Sequence, residues 1–493
     1  MAIFRVDRIA EKILLLKEKG LGKDKIAKRL SKKHRADTIN EALSEIEKMV
    51  SRGFFKRMSF KEWLNLDKNL FRNSVISSAD LYLAHICNMA CSYCCNQGGS
   101  FEISFKKKLM DWETARAALD WFFEHNKNNT TNSLTVSFFG GEPLLNKDVF
   151  KKSLEYIKNK WIGKIKVPLR LILTTNGTLL DAEILKVISE HKCQLVVSLD
   201  ASRKEHDRNR VFKNSKGTYD VILNNIKYAK KMFPDIFITI TSTTRHDSDF
   251  RNIFKYNEKS YCGNMKRRFN IEHSVPLDEA GRKAYFNNVK RELEAHYINR
   301  LKNQKSYVYT DPESFGILNN RSYKGIICGA GISKAAVAAD GGIYVCSLSL
   351  FDKKYKIGSV FTGISRKSKE KIINIYRKLF RLRGKICFKC WDKLNCSGNC
   401  IFNKPGKDKK IKFSIQDGKS FACDIKRLGM EYSIRSYETL DKEDIKRNFD
   451  GILISNKDNL DIRDSMDLSC FHKDFINNGF KHIKCLNPFY RDA

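Results

Sequence analysis

The chain has 493 residues, 42% of them hydrophobic, which is enough for packed cores and, at this length, for roughly two to four domains. Lys and Arg number 92 against 56 Asp and Glu, a net charge of +36. Such a balance favours acidic partners (nucleic acid, an anionic membrane or an acidic peptide), although basic residues spread over most predicted helices read equally well as solvated surface.

No run of 18 apolar residues occurs, and the longest, Ile13 to Leu16 and Leu195 to Val197, are core-sized; the sequence therefore reads as no integral helical membrane protein, with no membrane partner. The start, Met1-Ala2-Ile3-Phe4-Arg5, lacks the pattern of a secretory signal, so the expected address is the cytoplasm. Thiols are normally reduced there. Fifteen cysteines, an odd number, then argue for metal ligation and against a disulfide framework.

Residues 1–72 read as a small winged-helix-like module. Ile26 and Leu30, then Ile39, Leu43, Ile46 and Val50, follow helical spacing, Gly53 stops the last helix, and Phe54-Phe55 enters a predicted hairpin. Lys56 to Asn73 reads as a basic connector.

From about residue 77 strand-length apolar runs alternate with helical stretches. The strand candidates are Leu81–Ile86, Leu134–Phe139, Leu169–Thr175, Gln194–Leu199, Ile236–Thr243 and Arg268–His273; helical segments include Trp112–Phe123, Ala182–His191 and Tyr219–Met232. This α/β pattern over 77–310 predicts a parallel sheet, open or curled into a partial (β/α)6 barrel, with the site at the C-terminal ends of the strands. After about residue 325 the alternation fades and cysteines become dense up to Cys423; residues 426–493 carry no assignable pattern.

The first strand leads into Cys87-Asn-Met-Ala-Cys91-Ser-Tyr-Cys94. Three thiolates on one loop can hold three irons of a four-iron cubane and leave the fourth open to a substrate. Structural zinc is the alternative, but zinc takes four ligands, and Cys95 adjoins Cys94 too closely to complete the set comfortably. The spacing, with Tyr93 before the third cysteine, resembles the radical S-adenosylmethionine (SAM) superfamily. The resemblance implies that methionyl groups of SAM chelate the open iron and that one electron cleaves the sulfonium to a 5′-deoxyadenosyl radical.

Further motifs fall in the order the resemblance implies. Gly140-Gly141-Glu142-Pro143 follows the second strand and looks like the segment beside the methionyl amine, the glycines admitting backbone to the ligand and Glu142 offering a carboxylate to the ammonium. Asn176, Ser198, Asp200 and Arg210, at or just after the next strand ends, are similarly implied cofactor contacts. Their alternative reading is local: an Asn-Gly turn and helix-capping Ser and Asp. No catalytic residue of the chain itself is identifiable.

Cys328, Gly341 and Cys346, then Cys387-x2-Cys390-x5-Cys396-x3-Cys400 and Cys423, resemble the SPASM extension of radical SAM enzymes over residues 325–425. The resemblance implies two auxiliary four-iron clusters, hence three [4Fe-4S] clusters in all: Cys387, Cys390, Cys396 and Cys423 on the distal one, and Cys328, Cys346 and Cys400 on the proximal one. The proximal set is one thiolate short, so that its fourth iron is either open or completed by a distant cysteine such as Cys262, Cys470 or Cys485. Cys95 and Cys193 read as small core residues.

The group resembled most is the SPASM-bearing maturases of ribosomally made peptides, oxidoreductases that install thioether or carbon–carbon crosslinks. It implies a precursor peptide whose leader binds the N-terminal module, by strand addition and through Lys23, Lys25, Lys28, Arg29, Lys32, Lys33 and Arg35, and a small reduced electron donor, flavodoxin or ferredoxin. One alternative is oxidation of a residue in a folded protein, as sulfatase maturases do; there the residue after Cys346 is Asp, whereas here it is Ser347, whose hydroxyl is no base near neutral pH without help. A more distant alternative is a nucleic-acid-binding or -modifying protein, for which no aromatic stacking motif speaks.

Overall fold

The computed structural model describes residues 4–51, 75–94, 107–128, 133–244, 248, 265–271, 278–302, 329–350, 352–387, 390, 396, 421–438 and 483–485. The chain divides into two compact units, one of residues 1–63, 308–324 and 429–493, the other of 64–307 and 325–428.

The first unit opens with strand β1 (Phe4–Val6) and helices α1 (Arg8–Glu18), α2 (Lys23–Leu30) and α3 (Ala36–Ser51). Asp7 starts α1 by accepting the amides of Ile9 and Ala10 at 3.0 and 2.8 Å, which satisfies two donors that have no partner inside the helix. The three helices bury Ala10, Ile13, Ile26, Leu30, Ile39, Leu43, Ile46 and Met49 as one core. Val50, expected on that face, is instead 50% exposed, and Met49 takes its place. Helical spacing admits either i+3 or i+4 after Ile46, and packing chooses between them. The hairpin expected at Phe54-Phe55 lies outside the described residues.

The second unit holds β2 (Ser78–Ala84), α4 (Trp112–Asn126), β3 (Leu134–Gly140), α5 (Lys147–Tyr156), β4 (Leu169–Thr175), α6 (Ala182–Glu190), β5 (Gln194–Ser198), α7 (Arg203–Asn209), α8 (Tyr219–Met232), β6 (Ile238–Thr244), β7 (Met265–Ile271) and α9 (Glu279–Lys302). Strands β2 to β7 pair in sequence order and in parallel. Leu134, Val136 and Phe138 alternate on the core face of β3; Phe138 meets Phe150 of α5 edge-on at 5.0 Å, and Phe123 of α4 meets Trp161 at 5.0 Å. Each such ring contributes about 1.5–3 kcal/mol by leaving water, which fixes the helices on the sheet.

Past residue 325 the sheet does not stop. Strand β8 (Lys334–Val337) adds parallel to the other side of β2, and β9 (Gly342–Tyr344), β10 (Lys356–Ser359) and β11 (Gly363–Ile364) extend it antiparallel, before α10 (Arg366–Cys387) and α11 (Phe421–Glu438). Strands this short carry too little periodicity to be legible in sequence. The last described strand, β12 (Ile483–Cys485), belongs to the first unit: it runs antiparallel to β1, with Phe4 opposite Cys485 and Val6 opposite Ile483. Part of the segment without assignable pattern therefore completes the N-terminal module. Among the described residues no helix is long and apolar enough to cross a membrane.

Candidate functional site

Because β2 to β6 run the same way, their C-terminal ends gather Cys87, Gly141, Asn176, Asp200 and Thr243 at one edge of the sheet. The cysteine loop is clamped there from two sides. On one side the residues after α7 run beside it: Ala90 N–H donates to Val211 O at 2.8 Å, Ser92 N–H to Asn209 O at 2.9 Å, and Met89 bridges Phe212. On the other, Gly141 and Glu142 N–H donate to Ala84 and Ile86 carbonyls at 2.8 and 2.9 Å. A Cβ on Gly141 would lie 2.3 Å from Ile86 O, and one on Gly140, at φ +149°, 2.2 Å from Ala84 O. The glycines thus admit the chain's own backbone, the end of β3 closing on the start of the cysteine loop.

Glu142 is turned inward. Its side chain is fully buried, Oε1 accepting from Leu144 N–H (3.0 Å) and Thr175 Oγ1–H (2.7 Å) and Oε2 from Asn176 N–H (2.7 Å). Burial pushes its carboxyl up to about 7 against the pull of these three donors. The carboxylate that the sequence reading offered to an ammonium is hydrogen-bonded within the protein, because the end of β4 brings two donors to it in a buried setting.

Asn176 is likewise engaged within the chain. Thr178 donates to its Oδ1 from N–H (2.9 Å) and Oγ1–H (2.7 Å), while its Nδ2 donates to Asn88 Oδ1 (2.8 Å) and lies 3.7 Å from the Cys87 sulfur. Asn88 closes the ring by donating to Thr178 Oγ1 at 2.9 Å.

Asp200 and Arg210, both expected to face the cofactor, bind each other. Asp200 Oδ2 accepts from Arg210 Nε at 3.0 Å and from the Tyr93 hydroxyl at 2.8 Å, and Oδ1 accepts Thr243 N–H at 2.8 Å. The guanidinium lies 5.1 Å from the Tyr93 ring centre, a cation–π contact, and both charged side chains are buried. Burial pushes the Tyr93 phenol up, which keeps it a donor. His206 supports the turn: its Nδ1 accepts Asp200 N–H at 3.1 Å, so the neutral ring carries its proton on Nε2, toward Thr218 Oγ1 at 2.8 Å. Ser198 ends β5, opposite Thr241.

The thiols of this loop fit a cluster. Burial first, and the neighbouring Cys94 in smaller part, push Cys87 up to about 12 and Cys91 up to about 11. Donors stand ready for the deprotonated form: Met89 N–H at 3.4 Å and the Asn176 amide at Cys87, and the Arg210 guanidinium at Cys91. Among the described residues no three His, Cys, Asp or Glu side chains converge on a point that a single metal ion could occupy. Three thiols on one loop, in the spacing Cys-x3-Cys-x2-Cys, can each hold a separate iron of a four-iron cluster, whereas a structural zinc takes four ligands.

Of the second cysteine set, Cys346 lies two residues past the end of β9 and caps the turn Ser347–Ser349, its N–H donating to Ser349 Oγ at 3.1 Å and its carbonyl accepting from that hydroxyl at 2.7 Å. Cys387 ends α10, and its backbone carbonyl accepts Cys390 N–H at 2.9 Å. Cys423 stands on α11 one turn before Arg427, whose Nη1 lies 3.9 Å from the Cys390 sulfur. Cys396 is partly exposed. Cys328, Cys400, Cys262, Cys470 and Cys95 lie outside the described residues; Cys485 is in β12, and Cys193 is buried in the core as expected. Asn88, Thr178, Thr243 and Arg427 were not singled out by sequence. The first lies inside the cysteine motif and the last one helical turn after Cys423, the only signals they give.

Residues 81–256 match the radical SAM superfamily, so the chain carries a radical SAM domain and is an enzyme. It is 22% identical to a cysteine-type anaerobic sulfatase-maturating enzyme of Clostridium novyi, over 56% of this chain and 74% of that one. It is 23% identical to a radical SAM cyclopropyl synthase of Paramaledivibacter caminithermalis, over 31% of this chain and 34% of that one. Its fold is similar to that of native anSMEcpe with bound AdoMet and Cp18Cys peptide: TM-score 0.57, 20% identity, 72% of this chain and 96% of that one.

Proposed function

We propose that this radical SAM enzyme modifies a ribosomally made peptide, closing a carbon–sulfur or carbon–carbon crosslink. The observation that carries the reading is the cysteine loop itself: Cys87, Cys91 and Cys94 lie at the C-terminal edge of the parallel sheet, with donors aimed at two of the sulfurs. When bound there, a reduced four-iron cluster with SAM supplies a 5′-deoxyadenosyl radical. The chain's part is to hold the loop between the end of β3 and Asn209–Lys213, and to keep Tyr93 and Arg210 fixed on Asp200 beside it.

In the reaction the substrate gives one hydrogen atom to the nucleoside radical and one proton and one electron as the new bond closes. The product is two hydrogens lighter. The second cysteine set is where acceptors for that electron would be held, Cys387, Cys390, Cys396 and Cys423 on one centre and Cys328, Cys346 and Cys400 on the other. Arg427 supports grouping Cys423 with Cys390, since it reaches the Cys390 sulfur from the face of α11 that carries Cys423. The basic helices of the N-terminal unit would receive an acidic leader, and flavodoxin or ferredoxin would supply the first electron.

A second reading, oxidation of a residue in a folded protein, draws on the longer match to the sulfatase maturases, 85% of the Clostridium perfringens enzyme at 25% identity. Ser347 weighs against it, since that side chain is no base. The two separate in one assay: anaerobic, cluster-loaded protein with SAM, reductant and either an acidic, Cys-containing peptide encoded nearby or a sulfatase-derived peptide. Formation of 5′-deoxyadenosine with a two-hydrogen mass loss and a crosslink in the first supports the proposal. An aldehyde in the second alone overturns it in favour of the alternative.

A further inference from the structure

The sequence placed Asn176 among the cofactor contacts, yet its side chain faces the cysteine loop. Its orientation is not free: Thr178 N–H can only donate, so Oδ1 must face Thr178, and Nδ2 must face Asn88 and Cys87. Two further restraints act on the same residue. Its backbone N–H is held by the buried Glu142, and the Thr178 hydroxyl that donates to its Oδ1 also accepts from Asn88. The amide is thus fixed from the strand side by Glu142 and from the loop side by Asn88, with one N–H left for sulfur.

We propose that Asn176 is a positioning residue for Cys87, an N–H···S donor to the cluster-bearing sulfur, held in place by Glu142. The inference rests on reading Cys87, Cys91 and Cys94 as the cluster loop. Its consequence follows from charge: a donor at sulfur stabilises the reduced, more negative form of a cluster more than the oxidised form, so the bond raises the reduction potential. It also fixes the Cys87 side chain, whose backbone the end of β3 already holds through Ile86.

The test compares the wild-type enzyme with Asn176→Ala, Asn176→Asp and Asn88→Ala, all cluster-loaded. Three quantities are read: iron per chain, the midpoint potential of the EPR signal that responds to SAM, titrated without SAM, and the dissociation constant for SAM. In Asn176→Ala the equilibrium constant for one-electron reduction is expected to fall roughly three- to tenfold, tenfold being about 59 mV. Asn176→Asp, which keeps the acceptor and removes the donor, should fall at least as far. SAM affinity should change less than the potential does. Should Asn176→Ala fail to hold iron, Asn88→Ala, which only loosens the amide, should still show a smaller shift in the same direction. Unchanged potentials in all variants, with SAM affinity weakened tenfold or more in Asn176→Ala, would return Asn176 to the role of cofactor contact and overturn the proposal. A wild-type protein with no SAM-responsive signal would instead overturn the underlying reading of the loop.

Discussion

The backbone N–H of Asn176 donates to Glu142 Oε2 at 2.7 Å, tying the end of β4 to the end of β3 at the point where both face the cysteine loop. Glu142→Gln tests what this bond does. The new amide keeps one oxygen for Leu144 and Thr175 but turns its NH2 toward the Asn176 N–H, so that two donors meet in a fully buried site. A buried donor left without an acceptor costs about 1–3 kcal/mol. The variant should therefore melt several degrees below wild type; an unchanged melting temperature would show that the three hydrogen bonds of Glu142 are not structural.

The Asp200–Arg210 pair should behave as a buried ion pair that can be replaced but not halved. Removing one partner strands a charge in a buried setting and costs about 3–5 kcal/mol. Asp200→Asn and Arg210→Met should each destabilise by that order. The double variant should lose less than the sum of the two, because neither charge is then stranded. Additive losses in a thermal-unfolding double-mutant cycle would mean that the two side chains act separately.

His206 gives a pH dependence with a definite sign. Burial lowers it from its ordinary value of 6.5 to about 4, so between these values the unfolded chain holds a proton that the folded chain does not. Its contribution to stability is complete above 6.5 and is lost as pH falls toward about 4. His85, lowered likewise by burial, acts in the same direction, so the comparison must be differential. His206→Asn, which keeps an acceptor for Asp200 N–H, should show a shallower loss of melting temperature from pH 7 to 5 than wild type. Parallel curves would refute the assignment.

Much of the site was legible because strands end where chemistry begins. Strand β4 and helix α8 have the bounds expected from Leu169–Thr175 and Tyr219–Met232, and Asn176 and Asp200 fall just past strand ends as predicted. What sequence could not show is which partner each polar group takes. Asp200 and Arg210 look equally able to bind a ligand or each other until α7 brings them to 3.0 Å. The β1–β12 pairing was hidden for another reason: three-residue strands carry no period, and nothing local links the two ends of the chain.

Iron content tests the second cysteine set, of which Cys346, Cys387, Cys390, Cys396 and Cys423 lie among the described residues. Three four-iron clusters require about 12 irons per chain after anaerobic reconstitution. Cys423→Ala should lower the count and leave 5′-deoxyadenosine formation intact, whereas Cys87→Ala should abolish it. A wild-type count near four would remove the auxiliary clusters from the mechanism.

The N-terminal unit provides the last prediction, that it binds an acidic peptide mainly through charge. Lys23 pairs with Glu47 at 3.3 Å and Arg35 with Asp37 at 3.0 Å, so two of the seven basic residues named from sequence already have carboxylate partners. Lys25, Lys28, Arg29, Lys32 and Lys33 are exposed on α2 and the turn after it. Each exposed pair formed with a peptide carboxylate is worth about 0.2–1 kcal/mol, so replacing Lys28, Arg29, Lys32 and Lys33 by Ser should weaken binding roughly tenfold. Raising salt from 0.1 to 1 M shortens the screening length from about 10 to about 3 Å and should weaken wild-type binding much more than binding by the variant. Cofactor cleavage without peptide should be the same in both, since none of the four residues belongs to the unit that carries the cysteine loop. Tight, salt-sensitive binding to duplex DNA with none to an acidic peptide would transfer this surface to a nucleic-acid partner.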